Sequence, residues 1–182
     1  MSKQVKKPAK AVSDSFISDG SVSTGSNNYM KLELGDNTIR CLSMPVDGWV
    51  EWVDKKPTRT QIDNEPEVTD EENPPKKFIA LAIIDRADDE TKILELTQQS
   101  VIKAIKSLSA NPAWGKPFTY DINITKKGTG MLTKYTVTPS PKKSLPKEVI
   151  KAAMAKPCNL EALYTGEDPW KVDGDESEYF FK

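Results

Sequence analysis

The sequence predicts a mainly β fold, a small Greek-key barrel with one or two helices. Three observations lead to this prediction. Short stretches of alternating apolar and polar residues recur through the middle of the chain, separated by turn-forming residues. One stretch with helical periodicity interrupts them. Around Gly128 and Gly130 two alternating runs meet, which predicts a β-hairpin with a basic, glycine-containing tip.

The first third of the chain is predicted to hold a flexible arm and three strands. Residues 1–28 contain several lysines and then a run rich in Ser, Gly and Asn, which offers little to bury. Alternation in 29–34 and 38–44, with Gly-Asp-Asn at 35–37, predicts two strands joined by a turn. The sequence Trp-Val-Glu-Trp-Val at 49–53 predicts the next strand.

A long loop, two strands and a helix are predicted to follow. Residues 54–75 contain four prolines and a run of acidic residues, so we expect an irregular loop there. The apolar run 76–85 predicts a strand, and 91–97 predicts its partner after a short turn. Apolar residues at helical spacing predict an amphipathic helix over 98–111.

The last third is predicted to hold the basic hairpin, two short helices and a tail. The hairpin spans 116–139. A short helix is predicted to begin at Pro146, because proline is favoured in the first turn, and 159–164 predicts another. Residues 165–182 are rich in acidic side chains and end in aromatic ones.

This order of elements favours one OB-type domain between two tails. Strands interrupted once by an amphipathic helix suit a Greek-key barrel of the OB type, in which the helix plugs one end. The domain would span 29–164 and include the long loop 54–75. The disordered basic arm 1–28 would precede it and the acidic tail 165–182 would follow. A generic α+β sheet domain is the alternative.

The composition excludes several kinds of catalytic and metal site. The chain has 182 residues and no histidine, which removes imidazole ligands and every nucleophile system with a histidine base. Its two cysteines, Cys41 and Cys158, are too few and too far apart for a four-ligand zinc site, and we expect two buried, reduced thiols. We therefore expect no enzymatic activity, no metal and no cofactor.

The sequence carries no signal for a membrane or for secretion. No apolar run approaches the roughly 18–20 residues that span a bilayer. The lysine-containing N-terminus lacks the apolar stretch of a signal peptide. We therefore expect a soluble protein of the cell interior with no membrane partner.

Charge is segregated along the chain, although the net charge is only −1. Between Lys116 and Lys156 only Asp121 and Glu148 oppose nine lysines. A basic hairpin is the electrostatic footprint of phosphate-backbone binding, and single-strand binders interleave such cations with rings on which bases stack. A solvated lysine face and ordinary packing of the rings are the alternatives. The candidate nucleic-acid-binding residues are Arg40, Trp49, Trp52, Lys55, Lys56, Arg59, Lys76, Lys77, Tyr120, Lys126, Lys127, Lys134 and Tyr135.

The C-terminal tail is predicted to bind partner proteins. Its acidic residues would promote the encounter with a partner protein. Its aromatic residues, Tyr179, Phe180 and Phe181, would anchor the tail on that partner. A tethered polyanion beside a basic groove would also compete with nucleic acid for that groove.

Two stretches, IRCLSMPVDGWVEWVDKKPTR and LELTQQSVIKAIKSLSANPAWGKPFTYDINITKKGTGMLTKYTVTP, resemble phage-encoded single-stranded DNA-binding proteins of the OB-fold type. The resemblance covers about residues 29–140. It implies non-catalytic coating of single strands during phage replication, recombination and repair. The structural zinc of the larger relatives has no counterpart here. The binding surface implied by the matching motifs comprises Arg40, Trp49, Trp52, Lys126, Lys127, Lys134 and Tyr135.

The expected function is therefore protection of single-stranded DNA, without strong sequence preference, in the cytoplasm of the host cell. Replication or recombination proteins would bind through the C-terminal tail, and self-association on the DNA is left open. Three alternatives remain: a single-strand annealing or transcription-coactivating protein on the same fold, a metal-dependent nuclease, and a structural or adaptor protein whose lysines are only solvated surface.

Overall fold

The computed structural model describes residues 28–172, which form a strand-rich domain. Residues 1–27 and 173–182 lie outside the described part of the chain, and with them all but one residue of the predicted basic arm. The described part contains eight strands and three α-helices, which confirms a mainly β fold. The bounds are β1 Tyr29–Met30, β2 Gly35–Cys41, β3 Val46–Val53, β4 Lys56–Gln61, β5 Lys76–Asp85, β6 Glu90–Leu96, α1 Gln99–Ala110, β7 Ile122–Lys127, β8 Lys134–Pro139, α2 Lys147–Met154 and α3 Ala162–Thr165.

Five strands follow the order of an OB-type Greek-key barrel. β6, β5, β2, β7 and β8 are neighbours in that order, and every neighbouring pair is antiparallel. α1 comes between β6 and β7 in the chain and packs against both β6 and β8, where the plug helix was predicted. Within the described residues no strand pairing joins β6 to β8, so the barrel is not closed.

The inside of the barrel is a continuous apolar core. Alternate residues of β5, namely Ile79, Leu81 and Ile83, point inward because successive side chains of a strand face opposite sides. α1 contributes Val101 and Ile105 to the same cluster. The helix predicted from its apolar spacing is therefore present and buries its apolar face against the barrel.

A second apolar cluster covers the outer face of the same strands. The remaining residues of β5, among them Ala80, Ala82 and Ile84, pack with Cys158 and Leu163 from the C-terminal segment. β5 is thus buried on both faces, which explains its near-continuous apolar sequence. The short helix predicted to follow Pro146 is confirmed as α2, and the predicted second helix corresponds to α3.

The first residues of the predicted tail pack on the domain. The backbone N–H of Asn159 donates to the carbonyl of Pro169 at 2.8 Å. The Lys156 ammonium lies 4.5 Å from the centroid of the Trp170 ring. Trp170 itself packs against the outer apolar cluster. The described chain therefore stays attached to the barrel beyond residue 164.

The two strands predicted at 29–44 are present, but the first is shorter than predicted, and they do not pair with each other. β1 pairs in parallel with β6, and β2 lies between β5 and β7 as a central strand. The buried amide of Asn37 explains the divergence, because it donates to the carbonyls of Glu33 at 2.9 Å and Ile124 at 3.0 Å. Gly35 supplies the positive φ of +98° that the bend requires. The turn-forming residues therefore bend the chain without pairing its two halves.

The predicted irregular loop 54–75 is wrong in its first part, where β4 pairs with β3. Asp54 and Lys55 both have positive φ, 49° and 63°, which is the geometry of a two-residue hairpin turn. Pro57 is tolerated in β4 because that strand pairs only with β3, and an edge strand can lack one N–H donor. Residues 62–75 contain no strand or helix, as predicted.

Candidate nucleic-acid interface

The predicted binding residues fall mainly on two hairpins. The first hairpin is β3–β4 with its turn, together with the start of β5 that pairs with β3. The second hairpin is β7–β8 with the loop 128–133. The first lies within the connection between barrel strands β2 and β5, and the second ends in the connection between β7 and β8. In OB barrels these two connections are among the segments that contact oligonucleotides.

One face of the first hairpin carries a tryptophan paired with a lysine. Trp49 is directly opposite Lys77 in the β3–β5 register, and the Lys77 ammonium lies 4.8 Å from the ring centroid. The Trp49 indole N–H donates to the carbonyl of Ile62 at 3.1 Å. These two contacts fix the ring against the hairpin. A fixed ring beside a cation matches the chemistry of base stacking next to a phosphate.

The opposite face of the first hairpin carries Trp52, which is 59% exposed. Its partner across the hairpin is Pro57. Further along this face Arg59 forms an ion pair with Glu95 at 2.8 Å, so part of its charge is already neutralised. Lys76 is exposed and is opposite Val50 in the register. The two tryptophans of this hairpin therefore face opposite ways.

The turn of the first hairpin presents two more cations. Lys55 occupies the turn and Lys56 begins β4, and both side chains are exposed. Neither forms an ion pair with any residue of the described chain. They are free to meet an anion from solution.

The outer face of the second hairpin carries a pair of lysines. Lys127 and Lys134 are exposed and directly opposite each other in the β7–β8 register. No ion pair within residues 28–172 involves either of them. The nearby Asp36 carboxylate accepts a hydrogen bond from Thr125. That bond, with help from Asn123 and Lys127, lowers the pKa of Asp36.

The inner face of the second hairpin belongs to the fold. Lys126 donates from Nζ to the carbonyl of Leu32 at 2.8 Å and so ties the hairpin to the segment after β1. Its cross-strand partner Tyr135 is half-buried and packs against the inner core. The structure thus separates the four predicted residues of this hairpin into an outer, solvent-facing pair and an inner, packed pair.

Two predicted residues are buried away from both hairpin tips. Arg40 is 2% exposed, donates from Nε to Asp121 Oδ1 at 2.7 Å and from Nη1 to the carbonyl of Lys143 at 3.0 Å. Tyr120 is fully buried and its hydroxyl donates to the carbonyl of Gly115 at 2.9 Å. Burial raises the pKa of Tyr120. Neither side chain presents a surface to a ligand in this conformation.

The loop of the second hairpin presents two apolar residues that the sequence analysis missed. Met131 is 104% exposed and Leu132 is 79% exposed. They lie in a short 3₁₀ turn that spans Gly130–Leu132. The signal for them in the sequence is a pair of consecutive apolar residues between Gly130 and Lys134, in a loop otherwise made of glycine and polar residues.

Three further findings concern predictions made from the sequence. Tyr179, Phe180 and Phe181 lie outside the described residues. Within residues 28–172 no three Cys, Asp or Glu side chains are grouped so that they could hold a metal ion. Both cysteines are free and buried, as predicted.

No helix between residues 28 and 172 is long and apolar enough to cross a bilayer.

One stretch of the chain is similar to a protein with a named activity. Over 64 residues, 35% of this chain, it is 39% identical to a protein of Escherichia phage T5 named "Probable ssDNA-binding protein". The match covers 24% of that protein, so the chain spans about a quarter of the length of this relative. No protein-family model and no solved structure matches the chain.

Proposed function

We propose that this protein binds single-stranded DNA, without strong sequence preference, through its two lysine-bearing hairpins and performs no bond chemistry. The observation that carries the proposal is the position of the hairpins: each occupies one of the two connections by which OB barrels contact oligonucleotides. The partial similarity to a phage protein named as a probable single-stranded DNA-binding protein supports the same conclusion.

The electrostatic part of the interface consists of lysines without internal partners. Lys55 and Lys56 on the first hairpin, and Lys127 and Lys134 on the second, are exposed cations with no ion pair in the described chain. Phosphates would take the place of the missing partners. Contacts of this kind depend on counterion release and carry no sequence information, which suits a protein that coats any single strand.

The stacking part consists of rings on the first hairpin. Trp52 is exposed enough to receive a base on its face, and Trp49 is held in place beside the Lys77 ammonium. Every base has a flat face, so stacking is tolerant of sequence and contributes about 1–3 kcal/mol per base. We leave Arg40 and Tyr120 out of this surface because they are buried.

The wider role we propose is protection of single strands during phage DNA replication, recombination and repair in the host cell. Replication or recombination proteins would be recruited by the C-terminal Tyr179, Phe180 and Phe181. The partner of this tail, and any self-association on DNA, belong to the proposal as well.

Two other functions are compatible with parts of the same chemistry. A single-strand annealing or transcription-coactivating protein would use the same fold and the same hairpins. A metal-dependent nuclease would need several carboxylates converging in a cleft. The first differs in promoting pairing of complementary strands, and the second in destroying a labelled oligonucleotide when Mg²⁺ is added.

The test is binding of a labelled dT oligonucleotide, compared with a duplex of the same length, at two salt concentrations. We expect tighter binding to the single strand, with a log–log salt slope of about −0.7 for each phosphate contact. Equal affinity for the duplex, or an affinity that does not change with salt, would contradict the proposal. Incubation with Mg²⁺ on the same oligonucleotide separates binding from cleavage.

A further inference from the structure

We infer that the loop of the second hairpin is a wedge that unstacks the terminal base pair of a duplex beside a bound single strand. The activity is local opening of duplex ends, in addition to coating of strands that are already single. The inference rests on the proposed function, because it requires the protein to bind the adjoining single strand.

The apolar part of the wedge is Met131 and Leu132. Both side chains are almost wholly in water at the end of the hairpin, and nothing in the described chain covers them. Single exposed apolar residues are common on protein surfaces, but two consecutive ones at the end of a projecting hairpin are not explained by the packing of this domain. Met and Leu are among the side chains that proteins insert between base steps.

The turn that carries the wedge is held by its own backbone. The N–H groups of Leu132 and Thr133 donate to the carbonyls of Thr129 and Gly130 at 3.1 and 3.2 Å. The Thr133 hydroxyl also donates to the Gly130 carbonyl at 2.8 Å. At Gly128, a Cβ would lie 2.5 Å from the Leu132 carbonyl oxygen, so the chain closes on itself where only glycine fits. These contacts fix the backbone from which the two apolar side chains project before a ligand arrives.

The charges around the two apolar residues favour nucleic acid as the ligand of this loop. Lys127 and Lys134 stand at the base of the loop and would hold the phosphates on either side of an opened step. Val68 provides the contrast: it is 60% exposed, but it lies in the loop 62–75, among acidic residues that repel phosphate. Exposed apolar side chains flanked by cations fit a base step.

The experiment uses a DNA duplex with a single-stranded dT overhang and a 2-aminopurine base in the terminal pair at the junction. The fluorescence of 2-aminopurine rises when the base is unstacked. We expect the full-length protein to raise it at the junction, and to leave a blunt duplex unchanged. A fluorescently labelled dT oligonucleotide measures plain single-strand binding in parallel.

The variant that tests the wedge is Met131→Ser with Leu132→Ser, and the matched control is Val68→Ser. The double variant should keep its affinity for the dT oligonucleotide within about two-fold, because the lysines remain. At saturating protein it should lose the junction signal, and its affinity for the junction should fall at least about ten-fold. The control should behave like the wild type in both assays.

Four outcomes would overturn the inference. A junction signal unchanged in the double variant removes any role of the two residues in opening. An equal loss of junction and dT binding makes them part of the general binding surface, and loss of self-association in sedimentation makes them a contact between copies. If the wild-type protein binds no single-stranded DNA at all, the proposed function fails first and the wedge fails with it.

Discussion

Lys127 and Lys134 occupy directly opposite positions on the outer face of the second hairpin. Like charges placed directly across a strand pair destabilise the sheet. Neither lysine has an ion-pair partner in the described chain that would compensate. The arrangement therefore adds nothing to folding, whereas a phosphate between the two ammonium groups would relieve the repulsion.

The first prediction is that this pair serves binding and not stability. Replacing both lysines by alanine should weaken single-strand binding and make the log–log salt slope less steep by about 1.4, which corresponds to two phosphate contacts. The melting temperature should stay the same or rise slightly, because the repulsion is removed. Lys103→Ala with Lys171→Ala makes the same change of charge at exposed lysines elsewhere and is the control. A slope unaltered by the hairpin substitutions would exclude these lysines from the interface.

The second prediction distinguishes stacking from packing at Trp52. Because this ring is largely exposed, Trp52→Ala should leave the fold intact and weaken single-strand binding by about 1–3 kcal/mol. Trp52→Phe should retain most of the affinity, since phenylalanine also stacks, but should lose the part of the tryptophan fluorescence quenching that comes from this ring. Wild-type affinity in the alanine variant would show that no base stacks here.

Trp49 provides the comparison for the second prediction. Trp49→Ala removes the hydrogen bond to the Ile62 carbonyl and the contact with the Lys77 ammonium. It should therefore lower the stability of the protein by about 1–2 kcal/mol in addition to any effect on binding. Denaturant unfolding of both variants separates the two contributions.

The third prediction is that Arg40 supports the fold. Arg40→Ala leaves the Asp121 carboxylate without its nearest cation and removes the Arg40 donor to the Lys143 carbonyl, so we expect a loss of about 3 kcal/mol in the free energy of unfolding. Arg59→Ala breaks a more exposed pair with Glu95 and should cost about 1 kcal/mol. The folded fraction of the Arg40 variant should bind DNA like the wild type. A loss of affinity for DNA in protein shown to be folded would mean that Arg40 belongs to the binding surface.

The fourth prediction concerns the two thiols. Burial raises the pKa of Cys41 and of Cys158 to about 12 each. The thiolate is the reactive form, and a raised pKa leaves almost none of it at pH 8, so neither cysteine should react with a thiol reagent in the native protein. Both should react promptly in denaturant, where the pKa values return towards 9.0.

Trp170 allows the two thiols to be told apart. Cys158 packs in the outer cluster with Trp170, whereas Cys41 lies in the inner core. Trp170→Ala should therefore speed the labelling of Cys158 and leave Cys41 protected, as read by mass spectrometry of the labelled peptides. Equal acceleration at both sites would mean that the C-terminal segment and the barrel open together.

The fifth prediction concerns the acidic C-terminus and depends on where the chain is cut. Removing residues 173–182 leaves every described contact in place and should not change the melting temperature. Removing 167–182 also deletes Trp170 and the carbonyl of Pro169, and should cost about 2–3 kcal/mol of stability. The shorter deletion should raise affinity for single strands, most at low salt, because a tethered polyanion no longer competes. Unchanged affinity for single strands after the shorter deletion would show that the tail does not compete with DNA.

The sequence by itself determined most of the local structure. Alternation specified β3, a continuous apolar run and the turn after it specified β5 and β6, helical spacing specified α1, and Gly128 marked the second hairpin. These features depend on neighbours a few residues apart, so the local pattern is sufficient. The same locality explains what the pattern at 29–44 left open: it marked a strand on each side of a turn but not their partners, which are β6 for the first strand and β5 and β7 for the second.

Tertiary structure alone decided which of the predicted binding residues are accessible. Arg40 and Tyr120 have the same polar and aromatic chemistry as Lys127 and Trp52, yet the first two are buried and the last two are exposed. Alternation reveals that a strand has two faces but not which distant segment covers each of them. The C-terminal segment covers the outer face of β5, while nothing in the described chain covers the ends of the hairpins. The burial of a side chain depends on contacts between residues far apart in sequence, so the local sequence pattern does not determine it.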